Sequence, residues 1–174
     1  MNKIGLVVGC ASMLLMSCGR ENGASKAPEQ KKMQLQTGPE EKAKPMDIPE
    51  VAEIVIEGND QMQFNTKRIE VYEGQKVKLT LNNVGEMPVE AMGHNWVLLA
   101  RGTDKNAFAE ASIGAKETGY IAAEMKESVI ACTKTIGGGE SVTIEFDAPK
   151  KGLYDFVCSF PGHVGKMNGK FVVQ

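Results

Sequence analysis

The sequence predicts an all-β domain, a two-sheet sandwich with one short helical insertion. Three observations carry this. Apolar and polar residues alternate in short runs, as at Val77, Leu79 and Leu81, the period of a half-buried strand. Turn formers recur at short intervals: Gly58-Asn59-Asp60, Glu73-Gly74, Asn82-Asn83-Val84-Gly85, Gly137-Gly138-Gly139 and Pro149 to Gly152. A single stretch, after Thr103 and Asp104, is alanine-rich and can be capped as a helix. Several short strands punctuated in this way suggest a sandwich rather than a bundle.

The 174-residue chain divides before any strand is reached. Lys3 precedes an apolar run over residues 4–16, which is too short to cross a bilayer comfortably. A positive start, a short apolar stretch and small residues at its end make a secretory signal. Its end, Leu15-Met16-Ser17-Cys18, resembles the bacterial lipobox, in which the signal is cut before a cysteine that becomes lipidated. The expectation is a signal peptide over 1–17 and a lipid on Cys18. The competing reading is an ordinary signal peptide that happens to contain a cysteine.

Residues 18–50 follow as a tether. They hold Pro28, Pro39, Pro45 and Pro49, mixed charges of both signs and no aromatic residue. Such a segment cannot bury enough apolar surface to order itself. A flexible chain of this length spans roughly 30 Å. That reach would let a domain search for partners while acyl chains hold it at a membrane.

Residues 51–174 form the domain. Strands are expected over 52–56, 68–72, 77–81, 95–100, 129–133, 141–146, 153–157 and 170–173. The helical insertion falls between the strand after His94 and the strand at Val129, broken by Gly114 and Gly119, with a further turn over 124–127. Val142, Ile144 and Phe146 share one strand face.

Net charge is −2 and the lysines and arginines are not clustered in sequence, which argues against a nucleic-acid partner. Of the four cysteines, Cys10 and Cys18 lie in the export segment, leaving Cys132 and Cys158. If Cys158 binds metal, Cys132 has no partner, so no disulfide is expected although export would permit one.

The chemistry gathers in Cys158-Ser-Phe-Pro-Gly-His163-Val-Gly-Lys-Met167. A thiol, an imidazole and a thioether sit on one loop between two strands. Alone, a strand-end cysteine is most often a small core residue, and a lone histidine is most often structural. Together with His94, the only other histidine, the spacing supplies the donors of a mononuclear blue-copper site. Cysteine and histidine would also suit zinc, which has no redox chemistry.

These residues also carry a family resemblance. Gly58 to Thr66, the segment Met92-Gly93-His94-Asn95-Trp96-Val97-Leu98, and Cys158-x-Phe160-Pro161-Gly162-His163-x-x-x-Met167 resemble the azurins across residues 51–174. Residues 1–50 look like the leader and linker of surface-tethered azurins. The resemblance implies a Greek-key cupredoxin sandwich holding one type 1 copper and shuttling single electrons. His94, Cys158 and His163 would be equatorial ligands and Met167 a long axial one. The Gly93 carbonyl would be a weak contact opposite. The amides of Asn95 and Phe160 would donate to the Cys158 sulfur, a bond that helps set the potential. Trp96 would be a buried core residue. Met92, Phe160, Pro161, Met87 and Val164 would surround the exposed edge of His163 as an apolar docking patch.

The chain departs from the family pattern in places. The usual disulfide positions hold Ala52 and Gln75, and Asn83 stands near the place of a pH-sensitive histidine. Cys132 stands where the family commonly has another histidine; a small buried residue is expected, with a free thiol as the alternative.

The functional expectation is an electron carrier between redox proteins of the bacterial envelope, such as c-type cytochromes or terminal reductases. Neither nucleic acid nor a small-molecule substrate is expected. An enzyme would need a further copper centre, and both histidines are already used. Copper storage or delivery is the alternative, but Met33 and Met46 are too sparse to support it.

Overall fold

The computed structural model describes residues 48–174. The expected signal peptide, Cys18 and most of the tether lie outside the described residues. Among those described, no helix is long and apolar enough to cross a membrane.

The described residues form two mixed β-sheets packed face to face. The first runs in the order β2-β1-β4-β7 and the second in the order β3-β9-β8-β5-β6. The strands are β1 (Val51–Asn59), β2 (Gln63–Phe64), β3 (Arg68–Val71), β4 (Lys76–Asn83), β5 (Val97–Leu99), β6 (Val129–Cys132), β7 (Ser141–Asp147), β8 (Gly152–Val157) and β9 (Asn168–Val173). β1 runs parallel to β4, and β3 parallel to β9; the other pairings are antiparallel. This is the expected Greek-key sandwich.

Alternation decides which side chains go inside. Val77, Leu79 and Leu81 of β4 are fully buried, while Lys76, Lys78 and Thr80 face outward. Ile56, Tyr154, Phe156 and Phe171 meet them from the other strands, and Trp96 from the segment just before β5. The Trp96 indole is fully buried, with the rings of Phe146, Phe156 and Phe171 5.8–6.1 Å away.

The helical insertion covers the outer face of the second sheet. Its helix α2 (Lys105–Ala111) starts at Asp104, whose carboxylate accepts from the amides of Asn106 and Ala107. That caps two otherwise unpaired N–H groups. Phe108 then packs on Val97, Leu99 and Val157, a burial that contributes about 2 kcal/mol. This explains why all three residues of β5 are buried: Leu98 faces the sandwich core, and its neighbours face the helix.

Some local expectations are corrected. One-turn helix α1 (Val89–Met92) lies between Pro88 and Gly93, where only a chain break is legible in the sequence. β1 runs on to Asn59, past its expected end at Ile56 and into the expected turn. The further helical turn expected over 124–127 is present, as the 3-10 helix Ala123–Ser128. Cys132 is exposed, not buried. β6 is an edge strand paired only with β5, so the last residue of the strand opens to solvent. Residues just before Val51 also contact the domain. Gln75 donates from Nε2 to the Pro49 carbonyl (2.7 Å) and accepts the Tyr72 amide (3.0 Å), while Lys76 N–H binds the Glu50 carbonyl. Gln75, at one of the family's disulfide positions, thus fastens the entry to β1 non-covalently.

Candidate metal centre

The β8–β9 loop is closed at its base by one hydrogen bond, Cys158 N–H to the Met167 carbonyl, 2.9 Å. Inside it, His163 N–H binds the Phe160 carbonyl, and Met167 N–H binds the His163 carbonyl at 2.8 Å. Gly162 lies at φ +82°, a left-handed turn conformation that a side chain would strain. These bonds turn Cys158, His163 and Met167 toward one point, and all three are buried.

His94 arrives from the other side. Its backbone exchanges two hydrogen bonds with Ile136, 2.9 and 2.8 Å, which fasten the segment between α1 and β5 to the loop before β7. One nitrogen or sulfur from each of His94, Cys158 and His163 falls within 4.8 Å of the other two. The two imidazole rings are 5.1 Å apart between centroids, and the Cys158 sulfur is 3.5 Å from His163 Nδ1.

A soft metal fits this pocket. The orphaned atom is the strongest indication: His94 Nδ1 is buried and has no hydrogen-bond partner. A buried lone pair without a partner is costly. Its other nitrogen, Nε2, donates to the Asn59 carbonyl at 2.9 Å. That bond fixes the tautomer and leaves Nδ1 free to bind a cation, the usual arrangement for a ligating histidine. Thiolate, two imidazoles and a thioether together match copper best.

The electrostatics agree. Burial pushes the Cys158 thiol up to about 12, and the amides of Asn95 and Phe160 work against that by hydrogen-bonding the sulfur. Burial, then the neighbouring His94, holds His163 down to about 4. His94 is also lowered by burial, against the pull of the Asn59 and Gly93 carbonyls and of Asp60. At neutral pH the imidazoles are therefore uncharged donors. The thiol keeps its proton until a cation displaces it.

The frame around the donors is tight. A Cβ on Gly58 would lie 2.7 Å from Met167 Cε and 2.9 Å from His94 Cδ2. A Cβ on Gly93 would meet the Val89 carbonyl, Thr135 and Phe160, all under 3.0 Å. Asn95 is fully buried and laces the elements together: Oδ1 accepts the Ser159 amide, and Nδ2 donates to the Gly119 carbonyl and Ser159 Oγ. Phe160 sits between Tyr120 and His163, with centroids at 4.9 and 4.7 Å. Sequence reasoning missed Gly58, the Asn59 carbonyl, Ser159 and Tyr120 as parts of this frame. The only signal for the first two was the Gly58-Asn59 pair, which reads as a turn.

The expected apolar patch is less open than its residues suggest. His163 is 3% exposed and Phe160 8% exposed. Met92, Pro161 and Val164 are half-buried, and Val164 packs into the cluster under α2. Met87 stands clear, at 40% exposed.

Known proteins resemble this chain over the same region. Outer membrane protein H.8 of Neisseria meningitidis serogroup B is 42% identical over 118 residues, which is 66% of this chain and 63% of that protein. The match thus spans less than two thirds of the H.8 protein's own length. Azurin from Alcaligenes faecalis is 42% identical over 121 residues, covering 67% of this chain and 94% of the azurin. The crystal structure of dithionite-reduced auracyanin from Roseiflexus castenholzii superposes with a TM-score of 0.62 at 32% identity, over 70% of this chain and 96% of auracyanin. The family model for copper binding proteins of the plastocyanin/azurin type matches residues 51–174. With the donor set converging as described, that match makes the chain a member of the plastocyanin/azurin family of copper-binding proteins.

Proposed function

We propose that this protein is a one-electron carrier that holds a single type 1 copper and serves redox partners of the bacterial envelope. The orphaned Nδ1 of His94, facing Cys158 and His163 in a buried pocket, carries this reading. His94, Cys158 and His163 would hold the ion, with Met167 and the Gly93 carbonyl as weaker contacts. Bound there, copper supplies a reversible one-electron couple between Cu(II) and Cu(I).

The chain's own residues make that step easy. The Asn95 and Phe160 amides offset charge on the Cys158 sulfur. The Asn59 carbonyl keeps His94 in one tautomer. Two sheets and the Asn95 lacing hold the donors in place, so little has to move when charge changes. Burial keeps water away from the sulfur.

Both histidines of this chain belong to the one cluster, which supports a carrier over a copper enzyme needing a second histidine-rich centre. Export and lipidation at Cys18 would anchor the domain to an envelope membrane. c-type cytochromes or terminal reductases would be its partners.

Addition of Cu(II) should produce an intense blue thiolate-to-copper absorption that is absent in Cys158→Ala. Stopped-flow mixing with a reduced c-type cytochrome should then bleach it. A colourless protein sinks the copper assignment. A blue protein that exchanges no electrons returns the storage or delivery alternative.

A further inference from the structure

Lys67 and Lys105 reach one end of the loop that carries Cys158, His163 and Met167, where Lys166 is an exposed loop residue. The Lys67 ammonium donates to the carbonyl of Lys166, the residue before Met167. Lys105, the first residue of α2, donates to Asn168 Oδ1 at 3.0 Å, just past Met167. Asn168 in turn donates to the Val164 carbonyl at 2.7 Å. Two cationic side chains from distant parts of the chain are thus tied to the loop residues on either side of Met167, next to a third lysine, the exposed Lys166. Partial burial, then the charge of Lys105, makes Lys67 a weaker base than usual.

These charges are not neutralised locally. The ion pairs among the described residues use Arg68, Lys76, Lys78 and Lys170, and none involves this trio. Asp104, adjacent to Lys105, turns its carboxylate to the α2 amides. Lys170 lies close by in sequence but is matched by Asp155 at 2.7 Å. Acidic residues outnumber basic ones over residues 51–174, so the cluster runs against the domain's own balance. Like charges held together raise the free energy unless an anion meets them. Here two of them are held by hydrogen bonds to the very loop an electron must cross.

We propose that Lys67, Lys105 and Lys166 form a cationic rim that docks the acidic face of a redox protein against the β8–β9 loop. This rests on the electron-carrier reading and adds the partner's chemistry. The half-buried apolar residues beside His163 would give close contact, and the rim would steer and orient. Rim charges act mainly on encounter rate and salt dependence. At physiological salt their reach is about 8 Å, so the partner's acidic groups must lie beside its own redox centre.

The test uses the full, copper-loaded, reduced chain and two oxidants, anionic hexacyanoferrate(III) and cationic tris(phenanthroline)cobalt(III). Each takes one electron from the protein. Lys166→Gln and Lys105→Gln, singly and together, keep backbone contacts and remove charge; an unchanged absorption spectrum verifies the loop. At low ionic strength the double variant should react about fivefold more slowly with hexacyanoferrate(III), faster with the cobalt complex, and with a flatter salt dependence for both. Rates and salt slopes that ignore the substitutions overturn the proposal. So do unchanged rates accompanied by weaker attachment to phosphatidylglycerol vesicles, which would assign the rim to lipid headgroups. A wild-type protein oxidised by neither reagent removes the carrier reading itself, and the rim's role with it.

Discussion

His94 Nε2 lies 2.9 Å from the Asn59 carbonyl oxygen, and that bond leaves the opposite ring nitrogen buried without a partner. Asn59 ends β1, whose neighbour Gly58 comes within van der Waals reach of both His94 and Met167. One strand end therefore sets the tautomer of a candidate ligand and the space for the candidate thioether. The clamp on this strand end is also visible: Asp60 Oδ2 accepts the Glu86 amide at 2.9 Å, and Val84 N–H binds the Gly58 carbonyl at 2.8 Å.

Gly58→Ala should therefore disturb two donors at once. Its methyl would overlap Met167 Cε and His94 Cδ2 unless they shift. Overpacking of this kind costs about 1–3 kcal/mol. Urea unfolding of the metal-free protein should show that loss, and the copper-loaded variant should show an altered absorption spectrum. A variant with wild-type stability and spectrum would mean the strand end yields freely.

The metal-free protein should be most stable between about pH 6.5 and 9. The unfolded chain begins to protonate His163 near its ordinary value, whereas the folded site resists until about 4. Below pH 6.5 the unfolded state thus binds more protons, and stability falls with falling pH. At the alkaline end the unfolded Cys158 thiol ionises first, while burial holds the folded thiol up to about 12. There the unfolded state binds fewer protons, and stability falls with rising pH. Denaturant midpoints measured from pH 5 to 10 should trace this plateau. Copper displaces the Cys158 proton, so the stabilisation it adds should grow with pH up to about 9.

Gln75→Ala should loosen the start of the domain. It removes a donor to the Pro49 carbonyl and an acceptor for the Tyr72 amide, and Gln75 is only 9% exposed. Two such bonds are worth about 1–3 kcal/mol. Limited proteolysis should cut near residues 48–52 faster in the variant, with the copper spectrum unchanged. Equal cleavage rates would show that β1 pairing alone holds the entry.

Much of this architecture is legible in the sequence because it is periodic. β4 and β7 alternate cleanly, so their inner faces follow from pattern alone. The donors on the β8–β9 loop follow from spacing. What escapes is structure set by contacts distant in sequence. β5 is shorter than the apolar run implies because Asn95 leaves the ladder to bind Ser159 and Gly119. α1 has four residues and no side-chain cap, so nothing local announces it. Cys132 looks like a core residue by composition and is exposed because β6 is an edge. The lysine cluster is equally hidden, since Lys67, Lys105 and Lys166 are far apart along the chain.

Asn95→Leu should separate stability from metal chemistry least cleanly, and that is its use. Asn95 is fully buried and joins Ser159 to Gly119 through three hydrogen bonds of 2.8–2.9 Å. Leucine has similar bulk but no polar atoms, so the Ser159 amide would be left buried and unpaired, and the Gly119 carbonyl would keep only the 3.4 Å bond from Thr135 Oγ1. Each such group costs about 1–3 kcal/mol, so a total loss of about 3 kcal/mol is expected in urea unfolding. The Asn95 backbone amide would still face the Cys158 sulfur, but without the lacing its position would wander. With less hydrogen-bond support the sulfur keeps more of its charge and donates more strongly to Cu(II), so the potential should fall. Ser159→Ala serves as the comparison: it removes the hydroxyl contact alone and leaves Oδ1 bonded to the Ser159 amide. A lowered potential in Asn95→Leu with a near-wild-type value in Ser159→Ala identifies the amide lacing as what holds the sulfur's hydrogen bonds. Equal potentials in all three proteins would assign Asn95 to folding alone.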